Sequence, residues 1–270
     1  MAISLELIKE LREKSGAGMA DCKNALTEAD GDIEQAMDLL RKKGIAKAAK
    51  RSDRETGEGL VKVATNEDSN EGYMFEVCAE TDFVVRSEQF QTFASKLLEV
   101  VKAARVDTKE ALLDIDLDSD GTVGQAIERL SSVVGEKIEL KQYAILTSGG
   151  TVGAYSHAGE QIGSLVAINR PNDPEVARDL AMQVAAANPK YSTPADVAAE
   201  DLQREKDIYA EQLKKEGKPE AMIEKIMSGK VNKYYEEVCL TEQEFIKDET
   251  KNIKQLLGEA KVEKFVRFAL

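Results

Sequence analysis

Two well-separated stretches, KIELKQYAIL at 137–146 and KVEKFVRFAL at 261–270, are alike in charge and alternation, and each closes a similar run of elements. In the first run, GLVKVA (59–64) and GYMFEVCA (72–79) read as strands joined by the polar turn TNEDSNE. The second strand alternates Tyr73, Phe75 and Val77 against Met74, Glu76 and Cys78, the pattern of a half-buried strand. Ser87 then opens a helix in which Phe90, Phe93, Ala94, Leu97, Leu98 and Val101 follow a helical period. Thr122 with Gln125 forms a capping box for a second helix, to about Val134, before the closing strand. In the second run, TVGAYSH (151–157) and IGSLVAIN (162–169) read as a hairpin. Asp173-Pro174 starts a helix through about Ala187, with proline at the favoured first position. KNIKQLLG (251–258) is a short helix before the last strand. Strand, strand, helix, helix, strand, written twice, constrains the chain to an α+β fold with a duplicated core and antiparallel sheets.

The rest of the chain falls outside these two runs. Before them, Leu5, Ile8 and Leu11 make one apolar stripe, Met19, Cys22 and Leu26 a second, and Ile33, Ala36, Met37 and Leu40 a third. Gly16, Gly18 and Gly31 separate the stripes, Asp32 with Gln35 resembles a capping box, and Gly44 is expected to end the third helix. The expected organisation is a three-helix module over 1–45, a polar linker over 46–58, a first core half over 59–147 and a second over 148–270. Within the second half, residues 195–235 are two charged helical stretches hinged at Gly217-Lys218-Pro219. They predict an inserted helical coiled-coil hairpin with a sparse apolar seam of Val197, Leu202, Ile208, Leu213, Met222, Ile226 and Val231. That seam closes on itself or pairs with a second copy as a homodimer.

Charge and chemistry exclude several function classes. Fifty acidic residues against 37 basic give a net charge of −13, which repels phosphate backbones and anionic lipid, so neither direct nucleic-acid nor membrane binding is expected. A protein with basic patches is the better partner. The three cysteines, Cys22, Cys78 and Cys239, are far apart with no CxxC, which argues against disulfides and zinc and for a reduced, cytoplasmic setting. No signal peptide precedes the first helical pattern, and no apolar run reaches the ~18 residues a spanning helix needs. His157 is the only histidine, so it supplies no metal site alone. Gly149, Gly150 and Gly153 form no phosphate-cradling motif. No catalytic residues, no cofactor and no metal are expected; a thiol site built from Cys78, Cys239 and His157 would be the enzymatic alternative, without a motif behind it.

Three features admit two readings each. At Glu80-Thr81-Asp82-Phe83-Val84, Phe83 is either a core side chain beside a helix cap or a wedge that enters a partner with the Asp82 carboxylate beside it. LREKSGAGMADCKNAL (11–26) is either an ordinary helix junction or a docking surface bearing Arg12, Met19 and Lys23, with the flexible methionine at its centre. His157 is either a structural hydrogen-bonding residue or a partner contact.

LREKSGAGMADCKNAL resembles the first signature of the elongation factor Ts family, and EVCAETDFVVR (76–86) resembles the second. The order of parts is similar too: an N-terminal bundle of ubiquitin-associated type, two related core halves, and a coiled-coil hairpin in the second. Ser15 stands where the family commonly has Thr, Ala20 where a second Met is frequent, Cys78 where Asn is usual and Val85 where a small residue is usual. Family members often continue beyond the position of Leu270 into a C-terminal module that touches the partner, so that contact is not expected from these residues. The resemblance implies a cytoplasmic guanine-nucleotide exchange factor whose partner is elongation factor Tu, GDP-bound and nucleotide-free. It implies docking through Arg12, Met19 and Lys23, entry of Thr81, Asp82, Phe83 and Val84 near the partner's magnesium site, and an interface role for His157. The competing reading is a ubiquitin-associated-type protein-binding module on an unrelated α+β scaffold.

Overall fold

The computed structural model describes residues 3–49, 51–119, 121–216 and 219–270. It is a mixed α+β chain with two three-stranded sheets. Helices α1 (Leu5–Ser15), α2 (Met19–Glu28) and α3 (Ile33–Ala49) enclose a small core of Ile8, Leu11, Cys22, Ala25, Leu26 and Ala36. Ser4 caps α1 by accepting the Leu7 N–H at 3.2 Å, and Gly16 ends it in the left-handed conformation that glycine adopts without steric cost. Asp32 accepts the Gln35 N–H at 2.9 Å at the start of α3.

Gly44 does not end α3, which continues to Ala49. A Cβ there would lie 2.5 Å from Ser132 Oγ, so this glycine marks a close approach rather than a stop. Sequence alone cannot separate these two uses of glycine inside a helical pattern.

Next come β1 (Glu58–Thr65), β2 (Glu71–Ala79), α4 (Asp82–Val85), α5 (Glu88–Ala104), α6 (Lys109–Leu113), β3 (Asp116–Asp118), β4 (Gly121–Thr122), α7 (Val123–Val134) and β5 (Glu139–Thr147). The sheet order is β1-β2-β5. The half-buried reading of β2 is corrected: every residue from Gly72 to Ala79 is buried. Both of its alternating sets are mostly apolar, and it is the central strand, so neither face meets water. Ser87 caps α5, accepting the Phe90 N–H at 3.3 Å, and Phe90, Phe93, Ala94, Leu97 and Val101 are its buried stripe. The Thr122–Gln125 capping box opens α7, and left-handed Gly135 closes it.

The second run gives β6 (Thr151–Ser156), β7 (Ile162–Ile168), α8 (Pro174–Ala187), α9 (Ala199–Lys215), α10 (Glu220–Val238), β8 (Glu244–Phe245), β9 (Asp248–Asn252), α11 (Ile253–Leu257) and β10 (Val262–Ala269). Its sheet order is β6-β7-β10, with β7 antiparallel to both neighbours. The strand order thus recurs: a hairpin whose second strand is central and pairs with the run's closing strand. Val166 and Ile168 pack with Ala177, Leu180, Ala181 and Val184 of α8 and with Leu240, Phe245, Ile253 and Leu257. Helix and sheet meet so closely at Gly153 that a Cβ would lie 2.1 Å from the Ala177 backbone.

At the base of the hairpin, Tyr234, Val238 and Cys239 pack with Tyr191, Val197, Leu202, Tyr209 and Tyr235, so the seam closes on itself there. Of the expected hinge, Gly217 and Lys218 lie outside the described residues, as does the side chain of Met222. The short elements α4, α6, β3, β4, β8 and β9 were not legible in the apolar periodicity.

The chain divides into two compact units, residues 1–62 with 75–144 and 270, and residues 63–74 with 145–269. Among the described residues, no helix is long and apolar enough to cross a membrane.

Candidate functional site

Of the two readings of Phe83, the core reading fails. Phe83 is 83% exposed, more than any other large hydrophobic among the described residues, and no residue of α4 is buried. A ring this exposed at a strand-to-helix turn gains little for the fold by burial. Asp82, beside it, forms an i,i+4 pair with Arg86 at 3.1 Å; both side chains are exposed enough that the pair contributes little to stability.

Val84 and Val85 are only partly buried, and the turn is held largely by polar ties. Glu80 Oε1 accepts the Lys137 N–H at 2.6 Å and an Arg54 guanidinium N–H at 3.0 Å. The Lys137 N–H, with Arg54 in support, holds the Glu80 carboxyl below the usual carboxylate range. Thr81 donates its N–H to Glu136 Oε2 at 3.0 Å and its hydroxyl to Glu136 Oε1 at 2.7 Å. Although Thr81 is the N-cap of α4, its side chain does not cap that turn. On the far side, Ser87 Oγ donates to the Val84 carbonyl at 2.7 Å and Gln91 Nε2 to the Val85 carbonyl at 2.8 Å. Thr81, Asp82, Phe83 and Val84 are therefore presented together on a fixed turn. Glu136 and Lys137 lie more than fifty positions away in the chain, so sequence pattern does not point to them.

In the N-terminal bundle, Arg12 and Lys23 are exposed and, among the described residues, neither has an ion-pair partner. Met19, at the first position of α2, is 37% exposed while its neighbours Cys22, Ala25 and Leu26 are buried. The junction thus keeps its apolar stripe inside and turns Arg12, Met19 and Lys23 outward.

His157 sits in the other compact unit, in the β6–β7 turn, and is exposed. Its Nδ1 lies 3.1 Å from Tyr155 Oη, its N–H donates to the Ile162 carbonyl at 2.9 Å and its carbonyl accepts the Glu160 N–H at 2.9 Å. The turn's backbone bonds and the Tyr155 hydroxyl hold His157 in place.

Nothing in this arrangement resembles a thiol active site. All three cysteines are buried and free. Burial, reinforced by a hydrogen bond to Glu76 at 3.3 Å, pushes the Cys78 thiol up to about 12. Burial likewise pushes Cys239 up to about 11. Reactive cysteines have the opposite character, exposed and with depressed pKa. Among the described residues, no group of three or more His, Cys, Asp or Glu side chains is placed to hold a metal ion.

The comparisons with known proteins agree with one another. A family model described as Elongation factor TS matches residues 80–270, beginning at the braced turn itself. The curated elongation factor Ts of Chloroherpeton thalassium is 45% identical over 264 residues, which cover 95% of this chain and 91% of that relative.

Proposed function

This chain belongs to the elongation factor Ts family, and on that premise we propose that it is a guanine-nucleotide exchange factor for elongation factor Tu in translation elongation. It binds the GDP-bound and nucleotide-free partner and performs no covalent chemistry of its own. The observation that carries this reading is the exposed Phe83 beside Asp82 on a turn fixed by hydrogen bonds at both ends.

The physics is that of a wedge. GDP is held on its GTPase by Mg²⁺ and by backbone N–H groups around the phosphates. Asp82 and Phe83 enter near that magnesium site, flanked by Thr81 and Val84, and separate the elements that position the metal. Burying such a ring contributes roughly 1.5–3 kcal/mol, about 10- to 100-fold in an equilibrium. Binding of the factor then loosens GDP, and nucleotide must loosen the factor by the same amount, which lets it leave. Arg12, Met19 and Lys23 dock the N-terminal bundle on the partner's nucleotide-binding domain, and His157 adds a contact from the second half. The hairpin α9–α10 serves self-association or partner contact rather than release.

Stopped-flow release of a fluorescent GDP analogue from elongation factor Tu tests this directly. Phe83→Ala is expected to slow release at saturating factor about 10- to 100-fold, while Arg12→Ala with Lys23→Ala raises the concentration needed for half-maximal release. A release rate untouched by Phe83→Ala would overturn the wedge and leave only docking.

A further inference from the structure

We infer that Glu136 is a positioning residue for the wedge, acting through Thr81 to fix the direction in which Phe83 points; this rests on the wedge reading above. The geometry is specific. Helix α7 ends at Gly135, whose left-handed backbone (φ 81°) turns the chain sharply so that the next residue leaves the helix axis. Glu136 is held there by its own carbonyl, which accepts the Ser131 hydroxyl at 2.6 Å. Its carboxylate then reaches Thr81 with both oxygens, one on the backbone N–H and one on the hydroxyl.

Among the described residues, those two bonds are the side-chain ties to the start of the turn. No residue of α4 is fully buried and Phe83 itself stands in solvent, so packing around the ring does not orient it. The ties from Ser87 and Gln91 hold only its far end, at the Val84 and Val85 carbonyls. Glu80 fixes the end of the strand, one residue earlier. The two bonds at Thr81 therefore help set the backbone angle from which Phe83 departs, together with the Val85 N–H donated to the Thr81 carbonyl at 3.3 Å. They are charge-assisted, the stronger kind, and they draw the Thr81 hydroxyl away from the capping role its position would otherwise give it. Without them the ring would have to be ordered at the moment of binding, and the cost would fall on the step in which it enters the partner.

The experiment measures GDP release from elongation factor Tu over a range of factor concentrations, with urea unfolding run in parallel. Glu136→Ala is expected to lower the maximal release rate about tenfold while the half-saturating concentration moves less than about twofold, since two hydrogen bonds to a charged group are lost. Glu136→Gln keeps one acceptor oxygen and should fall between wild type and Ala. Thr81→Val removes only the hydroxyl donor, keeps the shape, and should slow release about threefold; with Glu136→Gln it carries the test if the alanine variant does not fold. Glu136→Ala placed on Phe83→Ala should slow release no further, because the two residues act as one unit. If Phe83→Ala slows release but Glu136→Ala and Thr81→Val do not, or if Glu136→Ala slows the Phe83→Ala protein by a further full factor, the positioning role is wrong and the wedge stands. If Phe83→Ala itself changes nothing, the wedge fails and the positioning role with it.

Discussion

The two half-cores repeat one strand order, and the junction after the central strand differs between them in an instructive way. After β2, residue 80 ties back to the residues preceding β5; after β7, residue 169 ties back to those preceding β10. In the first half, the Glu80 carboxylate accepts the Lys137 N–H at 2.6 Å. In the second, the Asn169 side-chain oxygen accepts the Lys261 N–H at 2.8 Å, and the Asn169 N–H donates to the Lys261 carbonyl at 3.1 Å. The brace is the same and its chemistry differs, a charged acceptor against a neutral one. The paths of the chain beyond the two braces differ more. After Asn169 the chain passes directly into a helix: Arg170 pairs with Asp173 at 2.7 Å and donates to the Leu257 carbonyl, and Asp173 starts α8 at once. After Glu80 the chain makes the additional turn α4 and holds Phe83 in solvent. The second junction closes the same strand order with no exposed ring, so that order does not itself require Phe83 in solvent.

The largest expected effect separates two phenylalanines seven positions apart. Phe90, fully buried on α5, should cost about 3–5 kcal/mol on truncation to alanine, the usual range for a core ring. Phe83→Ala should stay within about 0.5 kcal/mol of wild type, as exposed substitutions do. Urea unfolding of both variants, followed by circular dichroism, measures the difference. A cost of several kcal/mol at Phe83 would mean the tip packs against the fold, and the contrast between the two junctions would collapse.

Legibility in the sequence tracks the range of the interaction concerned. Ser87, the Thr122–Gln125 box and the Asp173-Pro174 start all cap the helices expected of them, because a cap is decided within three or four residues. The repeated strand order is legible because alternation and turn residues carry it locally. Gly44 misleads because a glycine in a helical pattern means either a stop or a close approach, and only the nearby Ser132 decides which. The central strand β2 misleads because Glu76, the one charge within its buried stretch, imitates a solvent face; it is buried, with Gln142 Nε2 donating to it at 2.6 Å and the Lys141 ammonium paired with it at 3.7 Å. At the candidate site, the residues TDFV stand out in the sequence but the exposure of the ring does not. The Glu136–Thr81 tie spans 55 positions and has no periodicity to betray it.

The smallest expected effect is a difference in pH response between the two braces. The Glu80 pKa is lowered in the folded protein, chiefly by the Lys137 N–H and also by Arg54. A lowered carboxylate pKa stabilises the fold fully above the unfolded value, about 4.3, and that contribution is lost as pH falls from there through the folded value. Glu80→Gln keeps an acceptor for Lys137 but removes the titrating charge. Its penalty relative to wild type should therefore be present at pH 7 and shrink as the pH is lowered from about 5 toward 3. It should be small throughout, because the carboxylate is partly exposed and solvent screens it. Asn169 does not titrate, so Asn169→Ala should cost about 0.5–1.5 kcal/mol, the net value of a hydrogen bond, by the same amount at both ends of that range. Comparing each variant with wild type at every pH cancels the titration of the other carboxylates, which otherwise dominates acid unfolding. A Glu80→Gln penalty that stays constant with pH would show that the charge on that brace contributes nothing, and the two junctions would then be held by equivalent bonds.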